Sequence, residues 1–316
     1  MKLVRYVRND VESSGVLLEE AVVDIRTAWQ GPNPPKSIGD ILHRGEDCLT
    51  KAKELAKAQD VMIPISEIKL LAPIAKPGKI LALAGNYSEH IKEASLKRGF
   101  KLGLSDAPKR DTVPRPFLKP ATTVIGQGDM IPWPDYSEQI DYEIELAVVI
   151  GNSAKCVGPR DAMRYVAGFT IANDISARSV TFKKGRTERP WDEFYDWLCG
   201  KWADGFCPMG PYLATADEIS DVQNLKMELK VNGLTRQKSN TQQMIYPVAE
   251  IVSFLSHIMR LEPGDVILTG TPAGVAVATG NFLKPGDRIE CTIEGLGILT
   301  NTLGDKPEVF YTSLAE

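Results

Sequence analysis

Short apolar runs separated by turn signals dominate the chain after residue 78. The runs have the length and the β-branched content of strands, and they lie at 79–84, 122–125, 142–150, 166–172, 226–231, 265–269 and 288–293. Asn232-Gly233 and Pro285-Gly286-Asp287 are typical of the tight turns that connect strands. The spacing therefore predicts a mostly β domain with a closed or sandwiched sheet.

One amphipathic helix interrupts this series of strands. It begins at Pro247 and ends before Pro263-Gly264, and the apolar side chains between them recur at helical spacing. Repeating strand–helix–strand units, a GxGxxG motif and a P-loop are absent from the sequence. The overall class is therefore α+β with sheet in excess, and a Rossmann architecture is excluded.

The first part of the chain differs from the rest. Short β-type runs at 3–7, 16–18 and 21–25 precede helical stretches at 37–42 and 48–59. The segment 72–78 is rich in Pro and Gly and is typical of a boundary. We therefore predict a small N-terminal α/β domain over 1–72 and a larger second domain over 73–316, with a mobile surface loop at 97–115.

Composition excludes several classes of function. The net charge is −4 and the isoelectric point is about 5.6, which predicts no nucleic-acid partner because phosphate binding needs a concentrated basic face. The first 15 residues lack the apolar stretch of a signal peptide, and no run approaches the roughly 20 apolar residues of a membrane span. These features predict a cytoplasmic protein with no membrane partner.

The five cysteines show no CxxC pair and no zinc-like spacing, so we predict free thiols. No GxSxG motif occurs, and no cysteine has a histidine nearby in sequence. Nucleophilic catalysis by serine or cysteine therefore finds little support.

Carboxylates cluster at the start of the run 142–150. Strand periodicity places Asp141, Glu143 and Glu145 on one face, where they repel one another unless a cation lies between them. Mg²⁺ accepts such oxygens readily, although an ExE pair alone is also typical of an exposed edge strand. Asp174, directly after the apolar run 166–172, supplies a third acid, whose alternative role is a helix N-cap. Together the acids predict a metal site from which Asp141 lies further out.

His90 and Glu93 are three residues apart in a helical turn that follows Gly85-Asn86. At that spacing they share a side and can hydrogen-bond, which holds an imidazole ready as a base near neutral pH. An HxxE pair alone is a common and mostly non-catalytic pattern. His43 and His257 are expected at the surface.

These pieces occur together in one family that the chain resembles, the fumarylacetoacetate hydrolase superfamily, in particular its acylpyruvate hydrolase and oxaloacetate decarboxylase members. The resemblance runs from about residue 70 to residue 303. It rests on GNYSEHIKE (85–93), RPFLKP (115–120), DYEIELAVVIG (141–151), NDISAR (173–178), GKWADGFCPMGP (200–211), LKVNG (229–233) and LEPGDVILTGTPAGV (261–275), in the family's order.

The resemblance implies a mixed β-sandwich roll with a small N-terminal domain, assembled as a homodimer. It implies Mg²⁺ as cofactor, with Mn²⁺ as the alternative and Ca²⁺ as an ion that crystals can capture. Its metal carboxylates fall on Glu143, Glu145 and Asp174, and its catalytic residues on His90 and Glu93 of a mobile lid and on Lys201. Its substrate-binding residues fall on Arg178, Thr271 and Tyr87, and a C-terminal glutamate has its nearest match in Glu290.

The chain also departs from the family pattern. Gly85 stands where members often carry Arg or Lys, and Ser179 stands where they often carry Asp. The segment 181–200 is longer than expected and rich in aromatic residues, for which local packing is the simplest interpretation.

The resemblance implies a small 2-oxo acid as substrate, and hydrolytic C–C cleavage of an acylpyruvate is the reaction we predict first. His90 with Glu93 would activate water, and Lys201 with the metal would stabilise the enolate that leaves. The alternatives are a lyase (oxaloacetate decarboxylase or 2-oxo sugar-acid dehydratase) and an isomerase of 5-carboxymethyl-2-hydroxymuconate or 2-hydroxyhepta-2,4-diene-1,7-dioate. The last alternative is a non-catalytic metal-binding relative. It is the least favoured, because a protein that only binds metal needs neither His90 nor Glu93.

Overall fold

A computed structural model describes residues 1–96, 111–180, 182 and 185–311. The part of the predicted surface loop at 97–110 lies outside the described residues, as do residues 181, 183 and 184 of the aromatic-rich segment. No helix in the described ranges is both long and apolar enough to cross a bilayer.

The N-terminal part consists of a meander of strands with helices beside it. Its strands are β1 (Lys2–Arg8), β2 (Val11–Leu17), β3 (Ala21–Asp24), β4 (Met62–Pro64) and β5 (Lys69–Leu71). Its helices are α1 (Ile25–Ala28), α2 (Ile38–Arg44) and α3 (Glu46–Ala58). Ser37 caps α2, because its side chain accepts a hydrogen bond from the backbone N–H of Asp40.

The remaining part is mostly strand. The strands are β6 (Ile80–Leu83), β7 (Pro116–Lys119), β8 (Val124–Ile125), β9 (Met130–Ile131), β10 (Gln139–Asp141), β11 (Ile144–Ile150), β12 (Val166–Asn173), β13 (Ser176–Arg178), β14 (Cys207–Thr215), β15 (Lys226–Val231), β16 (Leu234–Asn240), β17 (Val266–Leu268), β18 (Arg288–Ile293) and β19 (Gly297–Leu303). The helices are α4 (Ser88–Leu96), α5 (Asp192–Cys199), α6 (Val248–Ile258) and α7 (Ala276–Thr279).

Two sheets carry the fold. The larger, of 12 strands, runs in the order β4-β3-β2-β1-β14-β12-β11-β17-β6-β7, with β5 paired to β1 and β8 paired to β14. The smaller, of 5 strands, runs β16-β15-β18-β19-β9, and β10 pairs with β13 alone. The predicted α+β class with sheet in excess is therefore confirmed.

The N-terminal strands extend the larger sheet and form no separate one. Lys2 pairs with Ala214 and Leu3 with Leu213, which joins β1 to the buried strand β14. The domain boundary at residue 72 stays a prediction.

The main core lies where the two sheets face each other. It combines Leu146 and Ile171 of the larger sheet with Leu229, Cys291 and Leu299 of the smaller one, all of them buried. Strand β11 is buried along its whole length, as expected for an apolar strand with neighbours on both sides. This burial fixes the position of the acidic residues at its start.

Candidate metal centre and active site

The three predicted metal carboxylates come together at the ends of β11 and β12. Ile144 pairs with Asn173 across the two antiparallel strands, and the N–H of Asp174 donates to the carbonyl of Glu143 at 2.8 Å. Glu143 lies in a short break between β10 and β11, and Glu145 is on β11 itself. One oxygen from each of Glu143, Glu145 and Asp174 lies within 4.8 Å of the other two, and all three residues are buried.

Hydrogen bonds to the backbone hold this cluster in place. The N–H of Glu143 donates to Oδ1 of Asn173 at 2.9 Å. Oε2 of Glu145 accepts from the N–H of Gly270 at 2.6 Å, which ties the cluster to the loop after β17. The backbone at Glu143 and the carboxylate of Glu145 are therefore held in place without an ion.

Three buried cations from the described part of the chain surround the cluster. Nζ of Lys201 lies 2.7 Å from Oε2 of Glu143 and 2.6 Å from Oδ2 of Asp174. Nζ of Lys119 lies 2.6 Å from the other oxygen of Asp174. The guanidinium of Arg178 contacts Glu143 and donates from Nε to Asp141 at 3.0 Å.

Asp141 lies outside the group of carboxylates that converge, as expected. Its oxygens accept hydrogen bonds from the N–H groups of Ala276 at 2.5 Å and Val277 at 3.1 Å. With its contact to Arg178, these bonds make Asp141 an anchor for that arginine and for the start of α7.

The charges fit a divalent ion. Four buried carboxylates face three buried cations in the described part of the chain, which leaves one net negative charge. Burial and the neighbouring acids raise the pKa of Glu145, for which no cation lies within ion-pair distance among the described residues. Burial also opposes ionisation of Glu143, but Lys201 and Arg178 lower its pKa to about 2. A divalent cation would relieve the charge on Glu145 and is the ion that such oxygen donors prefer.

His90 projects from α4 toward this cluster. Burial lowers its pKa to about 4, and Glu143, Arg178 and Lys201 all lie close enough to influence it. Its Nδ1 atom is buried and has no hydrogen-bond partner among the residues that the structure describes. A neutral imidazole with an unpartnered nitrogen at a carboxylate cluster is suited to move protons.

Glu93 contacts a loop rather than His90. Its Oε2 atom accepts from the N–H of Gly274 at 2.9 Å, and no hydrogen bond joins it to His90 in the described structure. Gly274 has φ +105°, and a Cβ there would lie 2.1 Å from the carbonyl oxygen of Arg236, so only glycine allows this approach. Helix α4 is thus docked over the site in the described structure, and the mobility of this segment stays a prediction.

Comparison with known proteins identifies the family of this chain. The sequence model of the fumarylacetoacetate hydrolase C-terminal domain matches residues 79–304. The chain belongs to the fumarylacetoacetate hydrolase family. A mitochondrial oxaloacetate tautomerase of Rattus norvegicus is 38% identical over 307 residues, covering 95% of this chain and 91% of the relative.

Solved structures of family members are similar over nearly the whole chain. The fumarylacetoacetate hydrolase of Exiguobacterium antarcticum has a TM-score of 0.77 at 30% identity, covering 97% of this chain and 100% of its own. The maleylpyruvate hydrolase of Sphingobium sp. SYK-6, in complex with manganese(II) and pyruvate, has a TM-score of 0.75 at 27% identity, with coverage of 97% and 100%.

Other residues expected from the family pattern lie in different settings. Thr271 is buried, and its hydroxyl accepts from Nε2 of Gln237 at 2.8 Å. Tyr87 is buried with its hydroxyl 3.3 Å from the sulfur of Met227, which supports a packing role, and its substrate contact stays a prediction. Glu290 pairs with Arg288 at 2.9 Å on β18. His43 and His257 are exposed.

Two residues of the site were missed by the sequence argument. Lys119 belongs to the RPFLKP motif, so its place in that motif was the available signal. Gln237 accepts from the N–H of Ile144 at 3.0 Å while donating to Thr271 and, at 2.8 Å, to the carbonyl of Pro272. It therefore couples the metal strand to the Thr271 loop, and nothing in its local sequence indicates this.

The aromatic-rich segment forms part of the wall beside the site. Nζ of Lys201 lies 5.8 Å from the ring of Trp197 and 5.6 Å from that of Phe117, and these two rings pack edge to face at 4.8 Å. Trp197 and Arg178 also line a cavity of about 530 Å³. Local packing, as expected, thus includes a cation–π contact with Lys201.

Proposed function

We propose that the chain is a metal-dependent enzyme that interconverts the enol and keto forms of oxaloacetate, a small 2-oxo acid. The observation that carries this proposal is His90, a neutral imidazole at the carboxylate cluster whose buried Nδ1 atom has no hydrogen-bond partner among the described residues. The similarity to the rat oxaloacetate tautomerase supports it. Mg²⁺ or Mn²⁺ would occupy the cluster, and the manganese in the maleylpyruvate hydrolase supports that choice of ion.

The metal would be held by Glu143, Glu145 and Asp174. When bound, it supplies Lewis-acid stabilisation of the negative charge that develops on the keto oxygen. Lys201 would add to this, because an ammonium has three N–H donors. Two of them contact Glu143 and Asp174 in the described structure, and an ion at these carboxylates would release at least one of them toward the keto oxygen. Arg178 orients Glu143 and offers a cationic edge to a substrate carboxylate.

His90 would carry the proton between the substrate's keto-enol oxygen and the neighbouring carbon. Its low pKa keeps it neutral and able to accept a proton at pH 7. A dianionic substrate beside it raises that pKa toward neutrality, so the imidazolium forms only while substrate is bound. Tautomerisation needs no attacking water, and Glu93 can therefore remain on Gly274 throughout.

Hydrolysis of an acylpyruvate is the second candidate. Glu93 lies on the same helix as His90, so a small rearrangement would bring the two side chains together as a water-activating pair. The similarity to the maleylpyruvate hydrolase favours this reaction. Oxaloacetate decarboxylation and hydroxymuconate isomerisation are further outcomes of the same test.

A substrate panel with Mg²⁺ separates these reactions. Enol-oxaloacetate is followed by its ultraviolet absorbance, pyruvate release from oxaloacetate or an acylpyruvate by lactate dehydrogenase, and hydroxymuconate isomerisation by its own absorbance change. We expect the disappearance of enol-oxaloacetate to be far faster than the release of pyruvate from oxaloacetate or from an acylpyruvate. Cleavage of acylpyruvate without any acceleration of enol loss would contradict the proposal.

Two variants sharpen the panel. His90→Asn should slow tautomerisation by roughly a hundred- to ten-thousandfold, the usual contribution of a general acid–base. Glu93→Gln is the matched variant, since its amide oxygen can still accept from Gly274. Tautomerisation should survive Glu93→Gln, whereas a water-activating pair would lose most of its hydrolysis.

Assembly and compartment stay predictions. The resemblance implies a homodimer, which light scattering coupled to size exclusion would test. The rat relative is named mitochondrial, so the cytoplasmic location predicted from this sequence needs direct localisation of the protein.

A further inference from the structure

Lys119 is a second buried lysine in contact with a candidate metal ligand. It ends strand β7, and its side chain is 0% exposed. Its Nζ atom lies 2.6 Å from Oδ1 of Asp174 and 2.5 Å from the carbonyl oxygen of Lys201. Lys201 itself uses the opposite oxygen, Oδ2, at 2.6 Å. The two oxygens of Asp174 are thus divided between two lysines.

The two lysines differ in how firmly they are held. Lys119 pairs in register with Ile80 across β6 and β7, and its ammonium bridges a carboxylate and a backbone carbonyl. A fully buried charge that left such partners would lie unpaired in a low-dielectric interior. Lys201 bridges two of the converging carboxylates, so an ion entering the cluster takes over its role. We therefore expect Oδ1 of Asp174, which accepts no hydrogen bond from the described residues, to keep its ion pair with Lys119 at 2.6 Å. Oδ2 then becomes the metal-binding oxygen when Lys201 withdraws from it.

A carboxylate that offers only one oxygen, as we expect of Asp174, affects the binding of Ca²⁺ and of Mg²⁺ differently. Ca²⁺ takes six to eight oxygens and often binds a carboxylate through both of them, whereas Mg²⁺ requires six ligands in a tight octahedron and keeps several waters. Mn²⁺ also suits octahedral oxygen sites. A carboxylate limited to one contact therefore disfavours Ca²⁺ more than it disfavours the smaller ions.

We propose that Lys119 is a positioning residue that limits Asp174 to one metal contact and so makes the centre select Mg²⁺ or Mn²⁺ over Ca²⁺. This inference rests on the proposed metal-dependent function and adds a determinant of which ion is used. It concerns metal binding alone, so its test needs no substrate.

The test is isothermal titration of the full chain with Mn²⁺ and with Ca²⁺ separately. Wild type should bind Mn²⁺ more tightly than Ca²⁺. Lys119→Met should shift the ratio of the two affinities toward Ca²⁺ by about ten- to a hundredfold, the usual size of an outer-shell effect. The ratio is the decisive quantity, because loss of a positive charge strengthens binding of both ions and cancels in it.

Lys79→Met is the matched control. Lys79 also pairs with a buried aspartate, Asp265, at 2.6 Å, but that pair does not contact the carboxylate cluster. The ratio of Mn²⁺ to Ca²⁺ affinity of Lys79→Met should equal that of wild type. Lys119→Gln serves as a second neutral variant if Lys119→Met does not fold, and the same shift is expected.

Three results would overturn the inference. Equal changes in Mn²⁺ and Ca²⁺ affinity in a folded neutral variant would leave Lys119 with a structural role only. Tighter binding of Ca²⁺ than of Mn²⁺ by wild type would remove the selectivity itself. Failure of wild type to bind either ion would also refute the metal-dependent function, which keeps the two failures distinguishable.

Discussion

Replacement of Lys201 by Met separates the charge of this lysine from its bulk. Its side chain is 2% exposed, and its Nζ atom lies 2.7 Å from Glu143 and 2.6 Å from Asp174. Met has a similar length and no charge. Without metal, the variant leaves two buried carboxylates facing each other with one cation fewer between them.

The loss of thermal stability in Lys201→Met should be large in EDTA. Removing one partner of a buried ion pair typically destabilises a protein by about 3–5 kcal/mol, because the other charge stays buried. From the usual unfolding entropy per residue, each kcal/mol corresponds to roughly 1.5 °C in melting temperature for a chain of 316 residues. We therefore expect Lys201→Met to melt about 5–8 °C below wild type in EDTA.

Divalent metal should reverse much of that loss. An ion in the cluster replaces the missing positive charge, and at a hundred times its dissociation constant it adds about 2.7 kcal/mol of stability. Because Lys201 no longer competes for Glu143 and Asp174, the variant should also bind Mg²⁺ more tightly than wild type.

The assay is a set of thermal melts of wild type, Lys201→Met and Lys79→Met at pH 7, in EDTA and in millimolar Mg²⁺. Mg²⁺ should raise the melting temperature of Lys201→Met more than that of either other protein. A Lys201→Met loss of equal size with and without Mg²⁺ would refute the reasoning, because it would show that Lys201 stabilises the fold independently of the carboxylate cluster.

Three further predictions follow from the site. Glu145→Gln should raise the melting temperature in EDTA, because burial raises the pKa of this acid and an amide carries no charge. The same variant should bind Mg²⁺ about tenfold or more weakly in titration calorimetry. A melting temperature in EDTA below that of wild type would contradict this prediction. Burial lowers the pKa of His90 to about 4 from 6.5, so the unfolded chain takes up a proton that the folded chain excludes. In EDTA, the free energy of unfolding of wild type should therefore fall as pH drops below 6.5. At pH 5 this loss should exceed that of His90→Asn by about 2 kcal/mol. Urea unfolding that shows the same pH dependence for both proteins would count against this role of His90. Gln237→Met should raise KM through the Thr271 loop by roughly tenfold with unchanged Mg²⁺ affinity, and a change in Mg²⁺ affinity instead would assign Gln237 to the metal strand.

Local signals in the sequence predicted the regular parts of the fold well. The runs at 226–231 and 288–293 coincide with β15 and β18, and the helix expected after Pro247 is α6, Val248–Ile258. A tight turn or an amphipathic stripe depends on residues a few positions apart, so one segment contains all the information needed.

Strands that break local rules were missed. The central strand β14, Cys207–Thr215, is buried throughout yet contains Pro208, Gly210 and Pro211, residues that argue against a central strand in sequence. Strand periodicity also failed to show the break before Ile144 that separates β10 from β11.

The acids of the site could be predicted, but their partners could not. Glu143 and Glu145 share a short motif, and Asp174 ends a recognisable strand. The neighbours of these acids come from distant segments, as when Lys119 reaches Asp174 through the pairing of β6 with β7. The predicted contact of Glu93 with His90 is replaced by one with Gly274 for the same reason, because nothing local indicates where that loop packs.

Anomalous diffraction from crystals grown with Mn²⁺ would show whether Glu143, Glu145 and Asp174 hold one divalent ion. We expect a single strong peak bound by one oxygen of each carboxylate at roughly 2.0–2.2 Å, with Nζ of Lys201 withdrawn from at least one of its two carboxylate partners. Absence of a peak, with Lys201 still bridging Glu143 and Asp174, would refute a metal site at these carboxylates.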